Sequence, residues 1–215
     1  MTARLGIMGG MFDPVHTGHL KVAALACDEL ELSHVRLVPC SVPSHRGTPG
    51  ASAVDRLKML QLALATETRF LADDREIRRP GVSYMVDTLH SFRQEFPDTT
   101  LVYIMGQDSF AGLTGWHRWR EILTLCHLCV VSRPGAGQIV HRDLLASQVS
   151  TRAALYEQQT GHIIQIDGAQ FWHSSTQVRQ LIYSDSLPED PADIIPASVL
   201  HYIRQHKLYQ TRPSS

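Results

Sequence analysis

ARLGIMGGMFDPVHTGHL, residues 3–20, runs from an apolar segment through Gly9-Gly10 and Phe12-Asp13-Pro14 to two histidines, and then opens into a segment of helical character. The run at 3–8 reads as a strand and 17–31 as a helix, so residues 9–16 are the turn between them. Glycines at a strand's exit let the backbone turn sharply and approach a ligand. Thr17 is the expected cap of a helix whose amino end favours anions. The stretch therefore predicts a βα unit with an anion site at its turn.

Working outward, further strands are expected at 34–39, 69–73, 100–105, 128–132 and 162–167. Helices are expected at 53–66, 83–96, 116–125, 175–184 and 196–206. Alternation of this kind implies right-handed crossovers and a doubly wound α/β fold, with a mostly parallel sheet and helices on both faces. In "SAVDRLKMLQLAL", residues 52–64, Ser52 is the expected cap with Asp55 in the first turn, and Pro97 stops the helix that starts near Ser83. A single domain is expected over 1–210, with 211–215 a frayed tail and surface loops at 40–52 and 133–142.

Twenty Lys and Arg against 21 Asp and Glu leave a net charge of −1, so no global field draws the chain to nucleic acid or anionic lipid. No apolar run has the length of a membrane span, and "MTARLGIMGG" lacks a signal peptide's apolar stretch; a cytoplasmic protein is expected. The four cysteines form no regular framework. "CHLC", 126–129, matches C-x-x-C but lies in a run read as a buried strand, whereas redox pairs open helices and structural zinc needs a second ligand pair.

His16 and His19 lie three apart across the loop-to-helix junction, so both rings can project towards one point at the positive helix end. Buried structural histidines, metal ligands and donors to phosphate oxygens are the competing readings. Phosphate donation is preferred, because two histidines flanking Gly18 after Gly-Gly and Phe-Asp-Pro are hard to explain by packing, and a metal needs a third partner. Asp13 reads as turn chemistry, with magnesium binding a lesser alternative. Ser174, Ser175 and Thr176 stand before another amphipathic helix, with Arg179 near its first turn. Alone they fit an ordinary cap; paired with the first site they fit a second anion-binding helix end.

"GGMFDPVHTGHL" resembles the H-x-G-H signature of the nucleotidyltransferase superfamily, and its extended form resembles bacterial nicotinate-nucleotide adenylyltransferases. Supporting matches are "PSHR" (43–46), "SYMVDTL" (83–89), "GQDSFAGLTGWHRW" (106–119), "SRP" (132–134) and "SSTQVR" (174–179). The resemblance implies a Rossmann-like nucleotidyltransferase fold and the union of nicotinate mononucleotide with ATP to give nicotinate adenine dinucleotide and pyrophosphate. It implies His16, His19 and Arg179 as catalytic groups. ATP would meet Gly9, Gly10, Phe12, His16 and His19, its ribose Gly106 and Asp108, and its β and γ phosphates Ser174, Ser175, Thr176 and Arg179. Trp116 would stack on the nicotinate ring, Met85 and His117 would read its carboxylate through backbone amides, and Ser83 and Tyr84 would belong to the same mononucleotide site. His45, Arg46 and Arg133 would bind the mononucleotide phosphate. Mg²⁺ would travel with ATP, and no residue is expected as a dedicated metal ligand. The partners implied are ATP and the mononucleotide, with room for a homo-oligomer and none for nucleic acid or membrane.

Three positions depart from the family pattern: Met11 replaces a threonine, Ser44 a second proline, and His173 an aliphatic residue before Ser-Ser-Thr. His173 beside a triphosphate site would add pH dependence to ATP binding. The competing readings are a nucleotidyltransferase for phosphopantetheine or nicotinamide mononucleotide, a synthetase fragment, a nucleotide-binding regulatory module without turnover, and a metal protein built on His16 and His19.

Overall fold

The computed structural model describes residues 3–43, 48–132, 142–168 and 173–210. In chain order the elements are β1 (Arg4–Gly10), α1 (Thr17–Glu29), β2 (His34–Pro39), β3 (Val42–Pro43), α2 (Ala53–Ala63), β4 (Phe70–Ala72), α3 (Arg75–Arg78), β5 (Val82–Ser83), α4 (Met85–Glu95), β6 (Thr100–Gly106), α5 (Gln107–Ala111), α6 (Trp119–Leu125), β7 (His127–Ser132), β8 (Gln148–Val149), α7 (Arg152–Leu155), β9 (Ile163–Asp167), α8 (Ser175–Tyr183) and α9 (Ala197–Gln205). Seven strands form one sheet in the order β4-β2-β1-β6-β7-β9-β8, and each neighbouring pair is parallel.

The central strands are apolar on both faces because both are covered. Val102 and Ile104 of β6, with Cys129 and Val131 of β7, pack into a core that includes Ala26 of α1, Met59 of α2 and Ile203 of α9. The alternate residues Leu101, Tyr103 and Met105, with Leu128 and Val130, pack against Phe92 of α4, Phe110 of α5 and Ile122 of α6. Chain order reverses between β1 and β6, and in open α/β sheets the crevice beyond the strand ends at such a point receives ligands. The exit of β1 is therefore one wall of the site.

Several local expectations change. β1 extends through Gly9 and Gly10, which are paired with Val38 and Pro39 of β2, so the glycines do not make the turn. The turn is made at Phe12, in the left-handed region at φ 47°. The glycines instead allow close approach: a Cβ at Gly9 would strike the end of the Met85 side chain, and one at Gly10 would crowd the Phe12 ring at 3.2 Å. Thr17 is not the cap of α1. His16 takes that position, while the Thr17 hydroxyl donates to Ala192 O at 2.8 Å. The helix expected from Ser83 starts at Met85, because Val82 and Ser83 pair in parallel with Val42 and Pro43 in a small second sheet. That sheet also puts structure inside the 40–52 stretch expected to be loop, and Ala51 there is buried.

The helix expected over 116–125 begins only at Trp119, after a 3-10 turn at Leu113–Gly115 and a left-handed Arg118 at φ 50°. Ser52 caps α2 as expected, accepting from Asp55 N at 3.1 Å. In the C-x-x-C match, Cys126 ends α6 and Cys129 lies in β7; both thiols are free and buried. Burial pushes the Cys126 thiol up to about 12 and raises Cys129 as well, the opposite of what thiolate chemistry needs. Among the described residues no helix is long and apolar enough to cross a membrane.

Candidate active site

The loop after β1 brings its two histidines face to face. Their ring centroids lie 3.7 Å apart with planes at 33°, and His16 N donates to His19 Nδ1 at 3.2 Å, half of a capping box. An Nδ1 that accepts places the proton of neutral His19 on Nε2. His16 is buried, and its pKa is lowered to about 4, first by burial and then by the charge of nearby His173. At neutral pH His16 is therefore an uncharged donor at the amino end of α1. Phe12, expected to touch ATP, is 1% exposed and packs edge-on against His19 at 5.0 Å. Its side chain supports the histidine from the core.

A second helix end meets this loop. Ser174 caps α8, accepting from Gln177 N at 3.2 Å, and the Ser175 hydroxyl donates to Pro14 O at 3.1 Å. The latter bond ties the amino end of α8 to the loop ahead of α1. The amides of Ser175 and Thr176 have no intrahelical partner at that end. Two positive helix ends are thus joined side by side, and the field between them favours phosphate.

Arg179 is turned towards the loop. Its Nη1 donates to Asp13 O at 2.6 Å and lies 3.5 Å from Asp13 Oδ2, and its Nη2 donates to Thr176 Oγ1 at 3.3 Å. Asp13 is itself a hub. Its Oδ1 accepts from Tyr209 Oη at 2.7 Å and Ala51 N at 3.1 Å, and its Oδ2 accepts from Gly50 N at 2.7 Å. Those protein donors occupy the carboxylate considered as a magnesium ligand. Beneath it, fully buried Arg56 donates to Met11 O at 2.7 Å, Ala51 O at 3.3 Å and Ser41 O at 3.3 Å. Burial lowers the pKa of Arg56, yet a guanidinium stays charged, so one cation holds three loop carbonyls in place.

Alongside lies a cleft of about 370 Å³. Gly9 and Gly10 form one wall, Ser83, Tyr84 and Met85 another, and Asp108, Trp116 and His117 face them. His117 stacks on Tyr84 at 4.3 Å, and Trp116 stands edge-on to Tyr103 at 6.2 Å. Gly106 ends β6 and caps α5, which presents Asp108 at the cleft. The walls are cross-braced from behind. Thr88 Oγ1 donates to Glu76 at 2.6 Å, and Arg79 donates to Thr88 Oγ1 at 3.1 Å and Tyr84 O at 3.5 Å. Glu76 lines the cleft, and burial raises its pKa.

The cleft gathers Gly9, Gly10, Ser83, Tyr84, Met85, Asp108, Trp116 and His117, while His16, His19, Ser174, Ser175, Thr176 and Arg179 belong to the joined helix ends beside it. His45, Arg46 and Arg133 lie outside the described residues. Arg56, Glu76 and Tyr209 escaped sequence reasoning. Arg56 sits in an ordinary amphipathic helix, and nothing local to Tyr209 announces a partner near residue 13. Among the described residues no three His, Cys, Asp or Glu side chains converge as a metal cage.

A family profile described as Cytidylyltransferase-like matches residues 7–181. A "Probable nicotinate-nucleotide adenylyltransferase" of Aeromonas salmonicida is 42% identical over 98% of this chain and 99% of its own length. One of the same description from Cellvibrio japonicus is 43% identical over 98% of this chain and all of its own. The fold is similar to a Plasmodium falciparum nicotinic acid mononucleotide adenylyltransferase solved with NaAD, at a TM-score of 0.75 and 15% identity, covering 99% of this chain and 100% of that one. The same Plasmodium falciparum enzyme solved with APC superposes at a TM-score of 0.73. Near full-length identity on this scale, over a fold with paired helix ends at its switch point, identifies the chain as a member of the nicotinate-nucleotide adenylyltransferase family.

Proposed function

We propose that the protein joins nicotinate mononucleotide to the adenylyl group of ATP, releasing pyrophosphate and forming nicotinate adenine dinucleotide, a step of NAD biosynthesis. The observation that carries this reading is the joining of two positive helix ends, α1 and α8, by the Ser175 to Pro14 bond, directly beside a cleft walled by aromatic rings and an aspartate. Triphosphate fits the first feature; a ring and a ribose fit the second.

The incoming phosphate is already anionic at neutral pH, so no side chain need deprotonate it. Catalysis then consists of holding two substrates in line and stabilising charge at the α phosphorus and the departing pyrophosphate. His16, uncharged at neutral pH, and His19 donate N–H bonds to the phosphate chain. The amino end of α8 holds the leaving group, and Arg179, positioned by Asp13, adds its charge there. Asp108 accepts from the ATP ribose, and Trp116 lies on the nicotinate ring, whose carboxylate meets the backbone of Met85 and His117. His45, Arg46 and Arg133 hold the mononucleotide phosphate. Mg²⁺ would come with ATP and supply charge neutralisation at the triphosphate, with no side chain of this chain as its dedicated ligand. Substrates of this kind support a cytoplasmic location.

Pyrophosphate release from ATP, followed with a panel of mononucleotides, tests the reading. Turnover is expected with nicotinate mononucleotide well above nicotinamide mononucleotide and phosphopantetheine. Faster turnover with either of the others would reassign the substrate, and release without any acceptor would point to a covalent adenylyl-enzyme.

A further inference from the structure

We infer that Tyr209, near the C-terminal end of the chain, is a positioning residue for nucleotidyl transfer, acting through the Asp13 carboxylate on Arg179 and on the histidine-bearing loop. The inference rests on the function proposed above.

Geometry carries it. Tyr209 is buried, and its hydroxyl donates to Asp13 Oδ1 at 2.7 Å across almost the whole length of the chain. The same carboxyl group faces Arg179, whose Nη1 also holds the Asp13 carbonyl, so the phenol, the carboxylate and the guanidinium form one connected row. Gly50 completes the seat: its amide donates to Asp13 Oδ2, and a Cβ there would meet the Tyr209 ring at 3.0 Å. Burial beside the carboxylate pushes the phenol's pKa up, so it keeps the proton it donates.

The fold does not need this bond to anchor the C-terminal segment. Helix α9 is already seated by buried Val199, Leu200 and Ile203, by Ser198 Oγ donating to Leu62 O at 3.1 Å, and by Tyr202 Oη donating to Asp55 Oδ1 at 3.0 Å. Beyond α9 the backbone takes the left-handed region twice, at Lys207 (φ 53°) and at Tyr209 itself (φ 59°). Non-glycine residues hold such angles only where their surroundings impose them. Here the result is to turn the ring inward onto Asp13. Asp13 precedes the first catalytic histidine by only three residues, so an altered carboxylate displaces both the guanidinium and the loop.

The test compares Tyr209→Phe with Tyr202→Phe, which also removes a tyrosine-to-carboxylate bond of the same C-terminal region but touches no site residue. For Y209F, kcat/KM for ATP is expected to fall at least tenfold while KM for the mononucleotide stays within twofold; Y202F is expected to match wild type in both. In an Arg179→Lys background the Y209F loss should shrink to within twofold, because both changes act on one row of groups. Direct titration with ATP-Mg²⁺ gives the same comparison without a mononucleotide, so a wrong acceptor assignment fails in the wild type and leaves this result readable. Equal losses in Y209F and Y202F, full multiplication of the Y209F and R179K losses, or a Y209F protein that does not fold at about 15 °C while Y202F does, would each overturn the inference in favour of a structural role.

Discussion

The two halves of the site are built differently. On the phosphate side Asp13, His16 and Arg56 are buried, and Asp13 and Arg56 bind several backbone groups from separate segments. On the ring side Asp108 and His117 are exposed and Trp116 is half-buried. Arg118, next to His117, donates to Glu121 of α6 at 2.7 Å and to Asp87 of α4 at 3.3 Å, both at the surface. Exposed pairs of this kind are screened by water and hold the loop only weakly. Rigidity is thus concentrated where charge develops during transfer, and the exposed side of the ring-binding cleft, at Asp108 and His117, is freer to adjust than the braced wall at Tyr84. Preorganised donors stabilise a transition state most when they need not move, whereas stacking tolerates small displacements.

The sharpest way to break this contrast is His19→Ala. Loss of one aimed donor is expected to lower kcat by about 10²–10³-fold while the melting temperature changes little. A folded variant with near wild-type turnover would remove the phosphate side's claim to rigidity with a purpose.

Acid unfolding probes the phosphate half through His16 and the body of the fold through His127, at the start of β7. His16 and His127 both have pKa values lowered to about 4, first by burial; His127 is held by Gln158 O at 3.1 Å and accepts from His162 N at 3.1 Å. The unfolded state binds their protons from about pH 6.5 and the folded state only near 4, so stability is full above about 6.5 and falls as pH drops towards 4. Each imidazole contributes on the order of 3 kcal/mol across that window. Denaturant midpoints measured from pH 7 to 4 should decline steadily, and replacing His127 with Gln should flatten part of the decline. An unchanged slope would mean that the ring is protonated in the folded protein.

On the ring side, Trp116→Ala should weaken mononucleotide binding by about 1–3 kcal/mol and leave ATP binding nearly intact, as measured by calorimetry with each ligand. Equal losses for both would make Trp116 part of the shared framework and erase the contrast. The smallest effect is expected for Arg118→Ala: KM for the mononucleotide should rise about two- to threefold with kcat unchanged. A tenfold loss in kcat would show that the outer wall is as rigid as the phosphate loop.

The legible parts of the molecule are the local ones. Strand, turn and helix around residues 3–29 follow from neighbouring residues, and so do the serine caps at 52 and 174. Even there, taking Thr17 as the cap missed that an imidazole can occupy that position when a partner three residues on accepts the capping amide. The turn at Phe12 was illegible because the aromatic ring, seated in the core, forces a backbone angle that its residue type seldom adopts. Asp13 reads as turn chemistry or, as a lesser alternative, a magnesium ligand, and its role as a hub is hidden because its donors come from residues 50, 51 and 209. The two-residue strands β3 and β5 carry no periodicity of their own; each exists because the other lies beside it.

The outermost strands of the main sheet are β4 and β8, at three and two residues each. An unpaired strand edge is a template on which another chain can add, and the danger grows with its length and flatness. Arg69 and Asp73 flank β4 with opposite charges, and β8 offers only Gln148 and Val149 before the chain turns into α7. Molecules crowded together during synthesis therefore meet at blunt borders too short to zip into fibrils. The long, apolar strands that would aggregate most readily, β1, β6 and β7, are sealed in the interior by their neighbours.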